Sequence, residues 1–225
     1  MSLSRVMEVA RGELGVTEFP AGSNCVKYWT DYTGIGPSMQ GQPWCVCFLW
    51  WCFWKAGEST AFFGGAQTAS CGTLLRWYRE QGLTVPVSEV QAGDIVLLNF
   101  HGGKDPEHCG IVTKTWWGPD GFDRFETIEG NTTNGTGQQD NGGMVCEKTR
   151  YPSQIVAVCR PQYKPEEPEA KDDITEHWAE KAIRRCMERG LLRGYPDGSF
   201  QPDKPVTRAE LATVLDRLDK EDDLR

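Results

Sequence analysis

The amino-acid sequence predicts an α+β fold, with helices packed on an antiparallel sheet and a small helix-loop-helix domain behind it. Two observations carry this prediction. Apolar residues recur at helical spacing through roughly the first 85 residues, whereas from Asp94 onward short β-rich pieces alternate with Gly, Asn and Asp. Helices first and strands second argue against an alternating parallel sheet. Residues 161–171, PQYKPEEPEAK, hold three prolines and read as an exposed linker, so the expected domains are residues 1–160 and 172–225.

The first helix is expected around Val6, Val9, Ala10 and Leu14, which share one face at near-helical spacing. A second occupies the apolar run from Trp44 to Trp54, with Gly57 as its stop, and a third spans 73–81 before Gly82. Strands are expected at 94–100, 108–116, 125–130, 144–151 and 155–160. In the tail, Trp178, Ala182, Ile183 and Met187 mark one helix face that ends at Gly190. Thr207 and Glu210 then form a capping box ahead of the stripe Leu211, Val214, Leu215 and Leu218.

Charge and composition exclude several classes. The formal net charge is −8, and the segments before and after Pro161 each carry 12 basic and 16 acidic residues, so no basic domain is concealed. Neither a nucleic-acid nor an anionic-membrane partner is expected. The 11-residue run 44–54 is too short to span a bilayer, and the first residues lack signal-peptide character, so a soluble chain without a signal peptide is expected. Nine cysteines, an odd number, favour reduced thiols over a disulfide framework.

One of these thiols stands apart. In GQPWCVCFLWWCFWKAG, Cys45 opens the apolar helix, where unpaired amides and the helix dipole favour thiolate and burial holds the sulfur rigidly. Cys47 and Cys52, deeper in the same helix, read as core. Their C-x-C-x₄-C spacing does not match paired-loop zinc sites, so no metal and no cofactor are expected.

A thiolate nucleophile needs a proton donor for its leaving amine, and the chain has three histidines. His108 begins the predicted strand HCGIVTKTW and can face a helix start, whereas His101 lies in a Gly-rich loop and His177 lies past the linker. The next strand ends in FETIEGNT. Period-two alternation puts Glu129 and Asn131 on one face, where one can bond the imidazole and the other support the site. The backbone amide of Cys45 is an oxyanion donor, and Gln40 and Gln42 are candidates for a second. Trp44 reads as core or as a platform on the cleft wall, and it joins Gln42 as a candidate substrate-binding residue.

PWC at a buried helix start, GDIVLLNF, HCGIV and IEGN together resemble the CHAP family of cysteine, histidine-dependent amidohydrolases and peptidases over roughly residues 5–160. The resemblance implies a papain-like core. It places the nucleophile on Cys45, the base on His108, the carboxylate on Glu129 and the asparagine on Asn131. It also implies a peptidoglycan substrate, cut as an N-acetylmuramoyl-L-alanine amidase or as an endopeptidase. The Asp-rich loop that binds calcium in some relatives is replaced here by SNCVKYWTDY, so calcium is not expected.

In the tail, HWA, GYPDGSFQP and VTRAE resemble one S-layer-homology motif. That resemblance implies binding of secondary cell-wall polysaccharide, with Arg208, Trp178 and Asp197 as candidate contacts. Such motifs usually occur in threes, so a homotrimer supplying one motif per chain is the expected assembly. The combination resembles a phage-type endolysin, made in a bacterial host's cytoplasm and acting at the cell wall.

Overall fold

The computed structural model describes residues 3–32, 36–119, 121–135, 137–164, 173–195 and 198–222. The chain forms two compact units, Met1–Glu166 and Glu167–Arg225. The first is α+β. Its helices are α1 (Leu3–Gly12), α2 (Lys27–Asp31), α3 (Cys45–Lys55), α4 (Ser59–Phe63) and α5 (Cys71–Glu80). Its strands are β1 (Thr84–Val85), β2 (Ile95–Leu98), β3 (His108–Gly118), β4 (Gly121–Thr132), β5 (Met144–Arg150) and β6 (Ile155–Cys159).

These strands make one six-stranded sheet in the order β1-β6-β2-β3-β4-β5, and every neighbouring pair is antiparallel. Strand β2 is buried throughout because both sheet faces are covered. Ile95, Leu97, Cys109 and Ile111 belong to the large core shared with the helices, whereas Val96, Leu98, Val112 and Phe125 form a smaller cluster. Asp94, 1% exposed, ties β2 to the end of β6 by accepting two hydrogen bonds of 2.9 Å from Arg160.

Helix α3 is the centre of the large core. Its first nine residues, Cys45 through Phe53, are all buried, which follows from a helix apolar on every side. Each large apolar side chain placed there contributes about 1.5–3 kcal/mol relative to exposure. Tyr28 packs against Trp44, Phe48 and Trp51 at ring-centroid separations of 5.4, 5.3 and 5.2 Å. The amphipathic helices α1 and α5 pack with Val6, Met7 and Ala10, and with Leu74, Leu75 and Tyr78. Ser70 caps α5 by accepting from the Thr73 amide at 3.2 Å.

Three local expectations change. Leu14 is 42% exposed because α1 ends at Gly12, before the fourth position of its expected stripe. The short elements α2, α4 and β1 were not anticipated, since two to five residues are too few to show a period. Trp178 is 90% exposed and precedes the tail helix instead of sharing its buried face.

The second unit holds α6 (Glu180–Glu188) and α7 (Arg208–Asp222). Gly190 adopts φ 70° just past α6, the left-handed conformation expected of a helix stop. The capping box at α7 forms in both directions: Glu210 accepts from the Thr207 amide at 2.7 Å, and Thr207 Oγ1 accepts from the Glu210 amide at 3.2 Å. Much of the linker at 161–171, and Asp197, lie outside the described residues.

Candidate active site

Cys45 is the first residue of α3, so its amide is among the helix's initial N–H groups, which have no acceptor within the helix. Its thiol is 4% exposed. Around it lie the thiols of Cys71, which opens α5, and Cys109, the second residue of β3, with Cys45 Sγ and Cys71 Sγ 4.0 Å apart. All nine cysteines are free.

His108 is fully buried at the start of β3. Its Nε2 lies 3.0 Å from Glu129 Oε2, while Nδ1 has no hydrogen-bond acceptor or donor of normal geometry. Nδ1 is therefore the ring nitrogen left for Cys45. Phe100 packs against the imidazole, with ring centroids 5.7 Å apart.

Glu129 is fully buried and saturated. Arg150 donates from Nε to Oε1 at 2.8 Å and from Nη2 to Oε2 at 2.5 Å, and Thr127 Oγ1 donates to Oε1 at 2.6 Å. Two glycines make room for this arrangement. A Cβ at Gly110 would stand 2.7 Å from Glu129 Cγ, and one at Gly130 would stand 2.5 Å from Phe48 Cβ and 2.8 Å from the Trp44 ring. The absence of both side chains lets the glutamate lie across β3 and lets β4 approach α3.

The charge states follow from these contacts. Hydrogen bonds from Cys109 and Cys71 lower the Cys45 pKa well below the usual thiol value, burial opposes them, and His108 adds to the lowering. Burial alone would depress His108, but Cys45 and Glu129 outweigh it and push the imidazole up to about 9. Burial works against ionised Glu129, yet Arg150 and His108 hold the carboxyl down at about 2. The contacts thus favour the anionic form of Cys45 and the charged form of His108, with the Glu129 carboxylate and the Arg150 guanidinium behind them.

The other sequence candidates fall in different places. Asn131 is buried but does not bond His108: its side chain donates to Asn141 Oδ1 at 2.9 Å and accepts from the Gly143 amide at 3.2 Å. The β4–β5 register shifts between Glu129 and Thr132, and Asn131 sits at φ 59°, so simple alternation of Glu129 and Asn131 on one face does not hold. Trp44 is completely buried and offers no face to a ligand, which corrects its reading as a substrate platform. Gln42 is exposed just ahead of the helix. The Gln40 amide is engaged with Val26, accepting from its N–H at 3.0 Å and donating to its carbonyl at 2.9 Å, so it is not an available oxyanion donor.

His101 pairs with Glu107 at 2.9 Å, and within the second unit His177 pairs with Asp203 at 3.3 Å. Sequence reasoning missed Arg150 and Thr127, whose roles depend on strand pairing that no local motif shows. A pocket of about 250 Å³ includes Phe100, His101, Gln139 and Asp140 in its lining, and Gln139 accepts from Arg150 Nη1 at 3.0 Å.

Within the second unit, a groove of about 390 Å³ is lined by residues that include Arg193, Tyr195, Phe200, Lys204 and Arg217. Arg208 is exposed at the first turn of α7 and Trp178 is exposed ahead of α6, but neither lines this groove. No helix among the described residues is long and apolar enough to cross a membrane.

Comparison with known proteins separates the same two regions. The CHAP domain matches residues 37–131, a segment holding Cys45, His108, Glu129 and Asn131, and the S-layer homology domain matches residues 172–212. A cellulosome-anchoring protein of Acetivibrio thermocellus is 52% identical over 54 residues, covering 22% of this chain and 12% of that protein. Outer membrane protein SlpA of Deinococcus radiodurans is 41% identical over 58 residues, covering 26% and 5%. Endo-1,4-beta-xylanase A of Thermoanaerobacterium saccharolyticum is 40% identical over 47 residues, covering 21% and 4%. The chain thus spans only a small part of the length of these relatives. No solved structure matches. The chain carries a CHAP domain followed by an S-layer homology domain.

Proposed function

We propose that the protein hydrolyses an amide bond of bacterial peptidoglycan through Cys45 and His108. The observation that carries this reading is the convergence of Cys45, His108 and Glu129 in one buried, charge-separated constellation. Cys45 Sγ attacks the amide carbonyl carbon, and the Cys45 N–H donates to the oxygen as it becomes negative. The imidazolium gives its Nδ1 proton to the departing amine, leaving a thioester on Cys45. Neutral His108 then takes a proton from water, whose oxygen attacks the thioester carbonyl and releases the acid and the thiolate. Glu129 orients the ring and stabilises its charged form, Arg150 positions Glu129, and Asn131 supports the strand through the 141–143 loop.

The S-layer homology unit holds the enzyme on secondary cell-wall polysaccharide, with Arg208 and Trp178 as the sequence-derived contacts. The basic and aromatic lining of the groove by Arg193, Lys204 and Tyr195 supports an anionic glycan. Leu211 and Leu215 on α7 are 48% and 53% exposed, which supports association of several chains, as in a homotrimer with one motif each. A strictly monomeric mass by light scattering at micromolar concentration rejects that assembly. Pairing a wall-cutting unit with a wall-holding one also supports an endolysin-type role.

The test is digestion of purified peptidoglycan by the wild-type chain and by Cys45→Ala, followed by mass spectrometry of the soluble fragments. The wild type should release fragments and the variant none. Stem peptides freed from muramic acid identify an amidase, and fragments cut within the peptide identify an endopeptidase. Equal release by both proteins rejects Cys45 as the nucleophile.

A further inference from the structure

We propose that Cys45, Cys71 and Cys109 form a three-thiolate binding site for a thiophilic divalent cation of the zinc class, and that occupancy silences the nucleophile. The C-x-C-x₄-C spacing along α3 gives no hint of this site, because its three thiols come from the starts of α3, α5 and β3.

Geometry is the first support. Zinc bound tetrahedrally by thiolates at about 2.3 Å places neighbouring sulfurs roughly 3.8 Å apart. Cys45 Sγ and Cys71 Sγ are 4.0 Å apart, and the three sulfurs all lie within 4.8 Å of one another. Cys45 and Cys71 need close by only about 0.2 Å to share one ion, and the Cys109 sulfur stands within 4.8 Å of both.

Burial and origin are the second support. All three thiols are buried, and each comes from a different element, so the tertiary fold and not a local loop holds them together. Cys45 opens α3, where the first helix amides favour sulfur in its anionic form.

Binding displaces the thiol protons of whichever cysteines are protonated and forms three S–metal bonds, with water in the fourth position, without any change in oxidation state. The bound form lacks a free sulfur for attack, so hydrolysis stops until the ion is removed.

Cobalt(II) is the probe, because its tetrahedral thiolate complexes absorb strongly in the visible. The reduced full-length chain should take up one equivalent with thiolate-to-metal charge-transfer and tetrahedral ligand-field bands, and zinc should bleach them. Cys71→Ala and Cys109→Ala, checked for folding by circular dichroism, should each weaken cobalt binding by more than the roughly 10–100-fold typical of losing an outer-sphere partner. Zinc should also inhibit the wild type reversibly to chelation, and each variant, measured against its own metal-free rate, should need at least about tenfold more. Wild-type protein without tetrahedral thiolate bands overturns the site even if the variants fail to fold. So does cobalt affinity unchanged in both folded variants. Metal uptake is read by absorption, so a chain that binds cobalt without cutting peptidoglycan separates failure of the hydrolase reading from failure of this one.

Discussion

Arg150 grips both carboxylate oxygens of Glu129, at 2.8 Å through Nε and 2.5 Å through Nη2, and so fixes the group that faces the His108 ring. Both side chains are essentially buried, at 4% and 0% exposure. Such a pair owes its value to position more than to net stability, since desolvation offsets much of the attraction. Removing one partner is different, because the other is left charged and uncompensated.

Arg150→Met should therefore destabilise the fold by about 3–5 kcal/mol. It should also lower turnover more than substrate affinity, because Glu129 loses its orientation and the imidazolium its support. Arg150→Lys should recover part of the turnover, since one ammonium can reach only part of the bidentate geometry. Urea denaturation and steady-state kinetics on the same preparations check both effects. An Arg150→Met enzyme with unchanged turnover would remove Arg150 from the positioning role.

The pH dependence of stability has a definite sign at each end. His108 is raised from 6.5 to about 9, so its contribution is complete below about 6.5 and fades as pH rises through about 9. Glu129 is lowered from 4.5 to about 2, so its contribution is complete above about 4.5 and fades as pH falls through about 2. Thermal unfolding followed across pH should show a plateau between these windows. The kcat profile should fall on its alkaline side near 9, where the imidazolium is lost. His108→Ala should lose that alkaline component of the stability profile.

Gly130→Ala should destabilise the fold by about 1–3 kcal/mol, since a methyl group would press on Phe48 and Trp44. The damage should reach the site, because Gly130 follows Glu129 directly. A melting temperature equal to wild type would show that β4 and α3 can separate freely, contrary to the packing described.

Thr207→Ala should cost about 1 kcal/mol by deleting one arm of the capping box at α7. Its consequences belong to wall attachment and should leave cleavage of a soluble muropeptide unchanged. Sedimentation of the variant with intact walls, compared with its soluble activity, separates the two units' contributions.

Much of this was legible in the sequence because periodicity and helix-end chemistry are local. The apolar run 44–54, its Gly57 stop, the β-rich segments and the Thr207–Glu210 box all became the elements they suggested. Cys45, His108 and Glu129 could be nominated for the same reason: each stands at or near the end of an element with the right flanking pattern. What the sequence could not display was pairing across strands. Arg150 reaches Glu129 only because β5 lies beside β4, and Cys71 and Cys109 reach Cys45 only because α5 and β3 begin near the start of α3. Asn131 shows the limit of local patterns, since a register shift between Glu129 and Thr132 interrupts the alternation on which its placement beside Glu129 rested. Trp44 read both as core and as platform, and complete burial decides for core.

On the proposed mechanism Cys45 is ionised at neutral pH, its thiolate stabilised by its buried neighbours. Alkylation of Cys45 by iodoacetamide, followed across pH by peptide mass spectrometry, tests it most directly. The rate should already be on its plateau at neutral pH and fall only in acid, with His108→Ala shifting the fall toward alkali. A rate that climbs through about pH 8.5, as for an ordinary thiol, would contradict it.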